Sequence, residues 1–491
     1  MTISPTKNNI GGKTMKIKKL LAILLLFVMV LTTACSGDPA VLLPFIDGND
    51  TKVDYEGYKF QYFWEGGSTY DETKSILGYD KNTQQGEAML KRIADIKDEI
   101  NVEFVFNYTY DYSSYQTAAL SGTVKADAFS YSYMNAMQML ANAGFLYPVT
   151  DFPDYIDLSD TDKYGAANVL EAGMINSVPY AVLPCFWPGY QPLDSYILVY
   201  NKDMTIPNGI TDFHEFWENE TWTWDTYETE FLDRAYVKRS DGYLYAMSMV
   251  PIQYFSALLY SNNVQFVTRN DAGEIIINPY PDSFVTVYEK ALEWATEYKD
   301  TIFFESGVQS IDNFMDELSM VGLAGAGEVT TGTVAYDAKF DYGLMPFPAG
   351  PDAPYGVWGQ YMQRIGGIGI AKASEEPTIA AHTLSLWFEP FEDFGGRAGL
   401  YDFYNTNVFL TETDTEIYFA LMENVRYDYT FWEQSDVGRQ VHSDFGTAAK
   451  NGVGVSEAME KYRNTINELV YENIEPNFNY MYENYYYQFD N

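Results

Sequence analysis

Tyr58-Lys59-Phe60-Gln61-Tyr62-Phe63, a periodic stretch over 86–100, and Val102-Glu103-Phe104-Val105-Phe106 together decide the fold class. The first and third segments read as strands, the third by its alternation of apolar and polar positions. Between them Met89, Ile93, Ile96 and Ile100 recur three or four residues apart, with Lys91, Asp95 and Lys97 interposed, which predicts an amphipathic helix. Strand, helix, strand is the opening of an α/β layered domain.

The pattern continues outward. Residues 126–130 read as a strand end, and 135–143 as a helix stopped by Gly144. Residues 196–200 form a nearly continuous apolar run, the signature of a strand covered on both faces. Long helices are expected at about 282–299, 376–389 and 455–473, and Asp271-Ala272-Gly273 marks a hairpin turn. A chain of 491 residues exceeds one ordinary core and suits two lobes or more.

The N-terminal stretch reads differently. Met15-Lys16-Ile17-Lys18-Lys19 is basic, residues 20–30 carry no charge, and Leu31-Thr32-Thr33-Ala34 leads into Cys35. A basic, then apolar, then small-residue order describes a secretory signal over 1–34. The apolar run is about half the ~20 residues needed to span a bilayer. The small residues before Cys35 resemble the lipobox of bacterial lipoproteins. That resemblance implies cleavage before Cys35 and lipidation of its thiol, with 35–53 as lipidated cysteine and tether. No later stretch is apolar enough to cross a membrane.

Formal net charge is −39, which argues against nucleic-acid partners. Beyond Cys35 the chain has one cysteine, Cys185, so an internal disulfide is excluded and a buried thiol expected. Three histidines, His214, His382 and His442, show no metal-ligand spacing. Asp80-Lys81-Asn82-Thr83-Gln84-Gln85-Gly86 has a faint calcium-loop look, but its glycine is one place late and the closing Glu is missing, so it reads as a solvated turn. Gly366-Gly367-Ile368-Gly369 lacks both dinucleotide and phosphate-loop spacing. No metal, cofactor or catalytic residue is expected.

Several segments, in order, resemble extracellular solute-binding proteins of ABC importers, in the maltose-binding-protein-like, carbohydrate-type group. They are Asp127-Ala128-Phe129-Ser130-Tyr131, Ala143-Gly144-Phe145-Leu146-Tyr147-Pro148-Val149-Thr150, Asn176-Ser177-Val178-Pro179-Tyr180, Ile197-Leu198-Val199-Tyr200-Asn201-Lys202-Asp203 and Thr221-Trp222-Thr223-Trp224-Asp225. Tyr342-Gly343-Leu344-Met345-Pro346-Phe347-Pro348 and the segment 367–372 with Ala380-Ala381 complete the series. Residues 197–203 are the most specific of these. Where the family has Gly-Pro-Trp this chain has Ala324-Gly325-Ala326-Gly327-Glu328.

The resemblance implies a two-lobed α/β fold of the periplasmic-binding-protein type, with a hinge and an interlobe cleft. It places lobe one at about 54–182 plus 350–400 and lobe two at about 190–345 plus 401–491. The Pro-rich stretches near 183–190 and 346–352 are then the crossings. It also implies a monomeric, lipid-anchored receptor on the extracytoplasmic face of the membrane, passing a sugar or oligosaccharide to a separate permease. A peptide or cationic-ligand receptor and a surface glycoside hydrolase remain as alternatives.

Sugar recognition needs flat apolar faces and fixed polar groups. With 43 Tyr and 9 Trp the chain can supply the first, and the candidates are those flanked by loop residues. Trp64 and Glu65 follow the first strand, and Tyr131 and Tyr133 follow Asp127. Trp187 and Tyr190 sit in a loop bounded by Pro184 and Pro192, while Trp358 and Gln360 sit near the second crossing. Tyr254 and Phe255 align with an aromatic pair that contacts sugar in the maltose-binding group. Asp194 is a further polar candidate.

Overall fold

The computed structural model describes residues 52–64, 74–77, 79–108, 126–131, 140–141, 143–165, 174–175, 178–184, 187, 193–235, 237–239, 242–264, 267–269, 275–278, 280–305, 311–330, 332–358, 362–365, 367–391, 394–424 and 436–468. The opening strand–helix–strand unit forms as its sequence dictates. Tyr58–Trp64 and Val102–Tyr108 pair in parallel, joined by the helix Gln84–Ile100. Thr83 caps that helix, its hydroxyl accepting from the Gly86 amide at 3.2 Å, and Asn101 ends it in the left-handed conformation with φ 55°. The suspected calcium loop is thus a capping turn, in which Asp80 accepts from the Asn82 amide at 2.8 Å. A Cβ at Gly86 would lie 2.0 Å from the Asp80 carbonyl oxygen, so only glycine lets the turn close on the helix.

The first sheet has the order Gly367–Ile370, Ala128–Tyr131, Tyr58–Trp64, Val102–Tyr108. Its last three strands are parallel and Gly367–Ile370 runs against them. Alternation puts Phe60 and Tyr62 on a buried face. There Trp387, from the helix Pro377–Trp387, meets Tyr62 at 4.9 Å and Phe104 at 5.2 Å, both edge-on.

The second sheet has the order Ile302–Phe304, Gly242–Met249, Ser319–Gly325, Leu193–Asn201, Tyr342–Met345. Leu193–Asn201 is antiparallel to Ser319–Gly325 and Tyr342–Met345, while Gly242–Met249 is parallel to Ile302–Phe304 and Ser319–Gly325 and antiparallel to Val237–Arg239. Ile197 to Tyr200 are fully buried, as the apolar run predicts. Pro251–Ser261, Asp282–Glu297 and Asp436–Lys450 pack together, with Phe255, Phe284, Tyr288 and Phe445 interlocking. Glu412–Asn424 packs on Tyr342–Met345, where Asp414 accepts from the Leu344 amide at 2.7 Å. Val267–Arg269 and Ile275–Ile277 pair as the expected hairpin, whose turn residues lie outside the described set. Only the end of the 135–143 helix is described, with Gly144 at φ 78°. Of the helix expected at 455–473, Val455–Asn467 is described.

One stretch belongs to both sheets. Met362–Ile365 pairs with the start of Leu193–Asn201, and Gly367–Ile370 pairs with Ala128–Tyr131. The passage between sheets therefore lies between Ile365 and Gly367, not at 346–352. The Pro-rich segment reads as a linker, yet it is an ordered part of the second-sheet side. Trp222 donates its indole N–H to the Pro346 carbonyl at 2.8 Å, and Ala349 exchanges backbone hydrogen bonds with Trp222 and Trp224. Val182 bridges Ile368 before the chain reaches Leu193, which makes the other passage. Among the described residues, no helix is long and apolar enough to cross a membrane.

Candidate functional site

Ligands of open α/β sheets bind beyond the carboxyl ends of the parallel strands. Tyr131 pairs with Gly367, and Gly325 pairs with Tyr196. Both passages between the sheets thus leave from and arrive at carboxyl ends, which brings those two rims to the same junction. Trp64, half-buried, closes one strand of the first rim. Tyr108 stands opposite it in register, and Tyr131 ends the adjoining strand. Tyr108 was not among the expected site residues. The alternation Val102, Phe104, Phe106 extended by one step reaches it. The second rim carries the turn from Gly242–Met249 into the helix Pro251–Ser261, the end of Ile302–Phe304 with Glu305, and the start of Ala326–Thr330.

Four expected site residues are core residues instead. Tyr254 is fully buried and donates its hydroxyl to the Ala291 carbonyl at 2.7 Å. Phe255 is fully buried, stacked on Phe445 at 5.6 Å. Both lie inside the helix, where three-to-four periodicity turns them onto neighbouring helices. Trp187 is 2% exposed, with Trp387 at 5.4 Å and Phe388 at 5.5 Å. Trp358 is 3% exposed, 5.5 Å from Trp217 and 5.1 Å from Tyr355. Loop position misleads here because a large ring gains more by filling a gap under its loop than by standing in water. Glu65, Tyr133, Tyr190, Gln360 and Cys35 lie outside the described residues, and Tyr131 and Asp194 are placed by their backbone alone.

The most specific motif sits at the far end of the second sheet, where Asn201 pairs with Tyr342. Asn201 caps the following helix by accepting from the Met204 amide at 3.0 Å. Tyr200 donates to Asp212. Lys202 lies 3.7 Å from Asp212 and 3.2 Å from His214 Nδ1. An ammonium donating to Nδ1 assigns the imidazole proton to Nε2, which faces Asp414 Oδ1 at 3.1 Å. A Cβ at Gly343 would lie 2.4 Å from the Tyr200 ring, so the strand and the ring require glycine. The motif is therefore a structural knot that locks Leu193–Asn201 to the helices beneath it. Burial opposes ionisation of Asp212, but Tyr200, Lys202 and the His214 amide outweigh it and hold its carboxyl below the usual range.

Asp127 plays the corresponding part at the far end of the first sheet. It accepts from Tyr58 and the Gln61 amide at 2.7 Å and from Ser374 at 2.5 Å, and burial raises its pKa in spite of these donors.

Carboxylates of Glu228, Glu293 and Glu297 gather within 4.8 Å. The Lys290 ammonium is already among them, 3.0 Å from Glu228 and 2.7 Å from Glu293, so the group is an ion-pair network. A cavity of about 830 Å³ is lined by Asp162, Pro390, Tyr401, Asp402, Glu416 and Phe419, among others, none of them a rim residue named above.

Residues 88–388 match the model of a family described as bacterial extracellular solute-binding protein. No curated protein sequence matches the chain significantly. Among solved structures it is similar to the sugar-binding protein MalE of Xanthomonas citri, with 13% identity, 84% of this chain and 98% of that one covered, and a TM-score of 0.59. It is also similar to the extracellular solute-binding protein of Staphylococcus aureus in complex with maltose, with 13% identity, 86% and 99% coverage and a TM-score of 0.57. UgpB of Mycobacterium tuberculosis, in complex with glycerophosphocholine, gives 14%, 84%, 99% and 0.56. The likeness extends over nearly the whole length of each and establishes the two-lobed α/β fold.

Proposed function

We propose that this chain, which belongs to the bacterial extracellular solute-binding protein family, is the sugar receptor of an ABC importer. It captures a sugar or oligosaccharide between the rims of its two sheets and delivers it to a separate permease. The observation that carries this reading is the stretch 362–370, whose two short strands are shared by the two sheets at their carboxyl ends. Such a connection is where one lobe can turn against the other around a ligand. Binding would then shift an open–closed equilibrium rather than start a reaction. With the second passage lying between Ile365 and Gly367, lobe one comprises about 54–182 plus 367–400, and lobe two about 190–365 plus 401–491.

Support for a sugar comes from Trp64, half-buried at the end of its strand on the first rim, and from the sugar-binding relatives. Cys35 carries the lipid anchor, and residues up to 53 hold the monomeric receptor off the membrane.

The test is the melting temperature of residues 36–491 against panels of mono- and oligosaccharides, short peptides, polyamines and glycerophosphodiesters. A ligand at a hundred times its Kd adds about 2.7 kcal/mol of stability, a visible shift. A shift with one glycan class and no release of products is expected. A shift only with peptides or amines, or hydrolysis of the glycan, would replace the reading. For the anchor, Cys35→Ala should release the protein into the medium. Retention at the membrane would refute lipidation.

A further inference from the structure

Glu305 stands just beyond the strand Ile302–Phe304, at the carboxyl-end rim of the second sheet. Its backbone amide donates to the Met249 carbonyl at 3.2 Å, which fixes the residue beside the end of Gly242–Met249. Its Oε1 accepts from the Ser248 hydroxyl at 2.5 Å and from the Asn313 amide at 2.6 Å. Asn313 also donates to the Ser248 oxygen at 2.9 Å, closing a triangle. Ser248 is fully buried, while Glu305 is half-buried. Two side-chain donors on one oxygen fix the carboxylate plane and use about half of its acceptor sites. Among the described residues no Lys, Arg or His pairs with it, and none donates to Oε2.

From this geometry we infer that Glu305 is an outer polar subsite of the cleft, accepting hydrogen bonds from hydroxyls at the far end of an oligosaccharide. The inference rests on the sugar-receptor reading and names the length of ligand it takes. Ile302–Phe304 is the edge strand, three places from Leu193–Asn201, at which the sheets are joined. Strands about 4.8 Å apart put the two positions about 14 Å from each other. A single pyranose ring cannot touch both. A carboxylate held in place accepts hydroxyl hydrogen bonds roughly twice as strong as a neutral acceptor does, which is why Glu rather than Gln suits the position.

The experiment is calorimetric titration of wild type and Glu305→Gln with glucose, maltose, maltotriose and maltopentaose, and with manno- and xylo-oligosaccharides of the same lengths. Glu305→Gln should weaken trisaccharides and longer ligands by about tenfold, leave mono- and disaccharides unchanged, and keep the wild-type melting temperature. Ser248→Ala, which loosens the carboxylate, should give a smaller loss with the same dependence on length. Equal affinities in Glu305→Gln at every length would overturn the subsite and leave the receptor intact. So would an equal loss at all lengths with a lowered melting temperature, the mark of a structural strut. Wild-type binding confined to mono- or disaccharides would also remove it. Wild type that binds no glycan would sink the receptor reading itself, and the subsite with it.

Discussion

The two passages between the sheets are pinned at opposite ends. On the first, Trp187 docks against Trp387, Phe388 and Phe391, which follow or end the helix packed on the first sheet. Arg92 holds that same corner, donating to the carbonyls of Leu386, Trp387, Glu389 and Pro390 with its guanidinium 4.6 Å from the Phe391 ring. On the second passage Trp358 packs on Trp217 and Tyr355, all on the second-sheet side. Each loop is therefore rigid where it leaves one sheet. Between those clamps the two passages meet in the pair of short strands at 193–195 and 362–365. A hinge is defined here as much by what clamps its ends as by what flexes.

The largest effect should come from removing these clamps. Trp187→Ala and Trp358→Ala each delete a buried indole, and each should cost about 3–5 kcal/mol in urea unfolding. If instead Trp187→Ala unfolds at the wild-type midpoint and only abolishes ligand binding, the ring is a wall of the cleft. The comparison between the two passages would then fail.

That pair of tryptophans also marks where sequence stopped being legible. Periodicity was enough for the helix Gln84–Ile100, for Asp282–Glu297 and for the buried strand through Ile197–Tyr200, because burial on a regular element repeats at a fixed spacing. A loop has no period. Nothing local distinguishes Trp187, which turns inward, from Trp64, which remains half-exposed at a strand end. The signature at 197–203 identifies the family without locating the site, since its polar residues tie a knot at the far end of the sheet. The shared strand at 362–370 was hidden for a different reason. Proline-rich residues 346–352 looked like the linker, and only their hydrogen bonds to Trp222 and Trp224 reveal an ordered segment.

Acid should separate the two regions further, by a smaller amount. On the first-sheet side burial raises the Asp127 carboxyl above its ordinary value. Its contribution is therefore full in acid and declines as pH rises through the raised pKa. The second-sheet side has the opposite sign. His442, bonded to Ser256 at 2.8 Å, is lowered by burial from 6.5 to about 3, and Asp212 is also held low. A histidine kept neutral by the fold contributes stability above pH 6.5, and that stability drains as the unfolded chain gains a proton the folded one refuses. At 1.36 kcal/mol per pH unit, the loss is about 3 kcal/mol between pH 6.5 and 4.5. Asp212 adds its own loss only nearer the unfolded carboxylate range. Urea midpoints across that window should fall for wild type and fall less for His442→Gln, which starts lower but carries no such proton. Hydrogen exchange at pH 4.5 should show Pro251–Ser261 and Asp436–Lys450, the helices that enclose His442, opening before Gln84–Ile100. An unchanged pH slope in His442→Gln, or first-sheet helices that open earlier, would mean the asymmetry between the two regions is mechanical and not titratable.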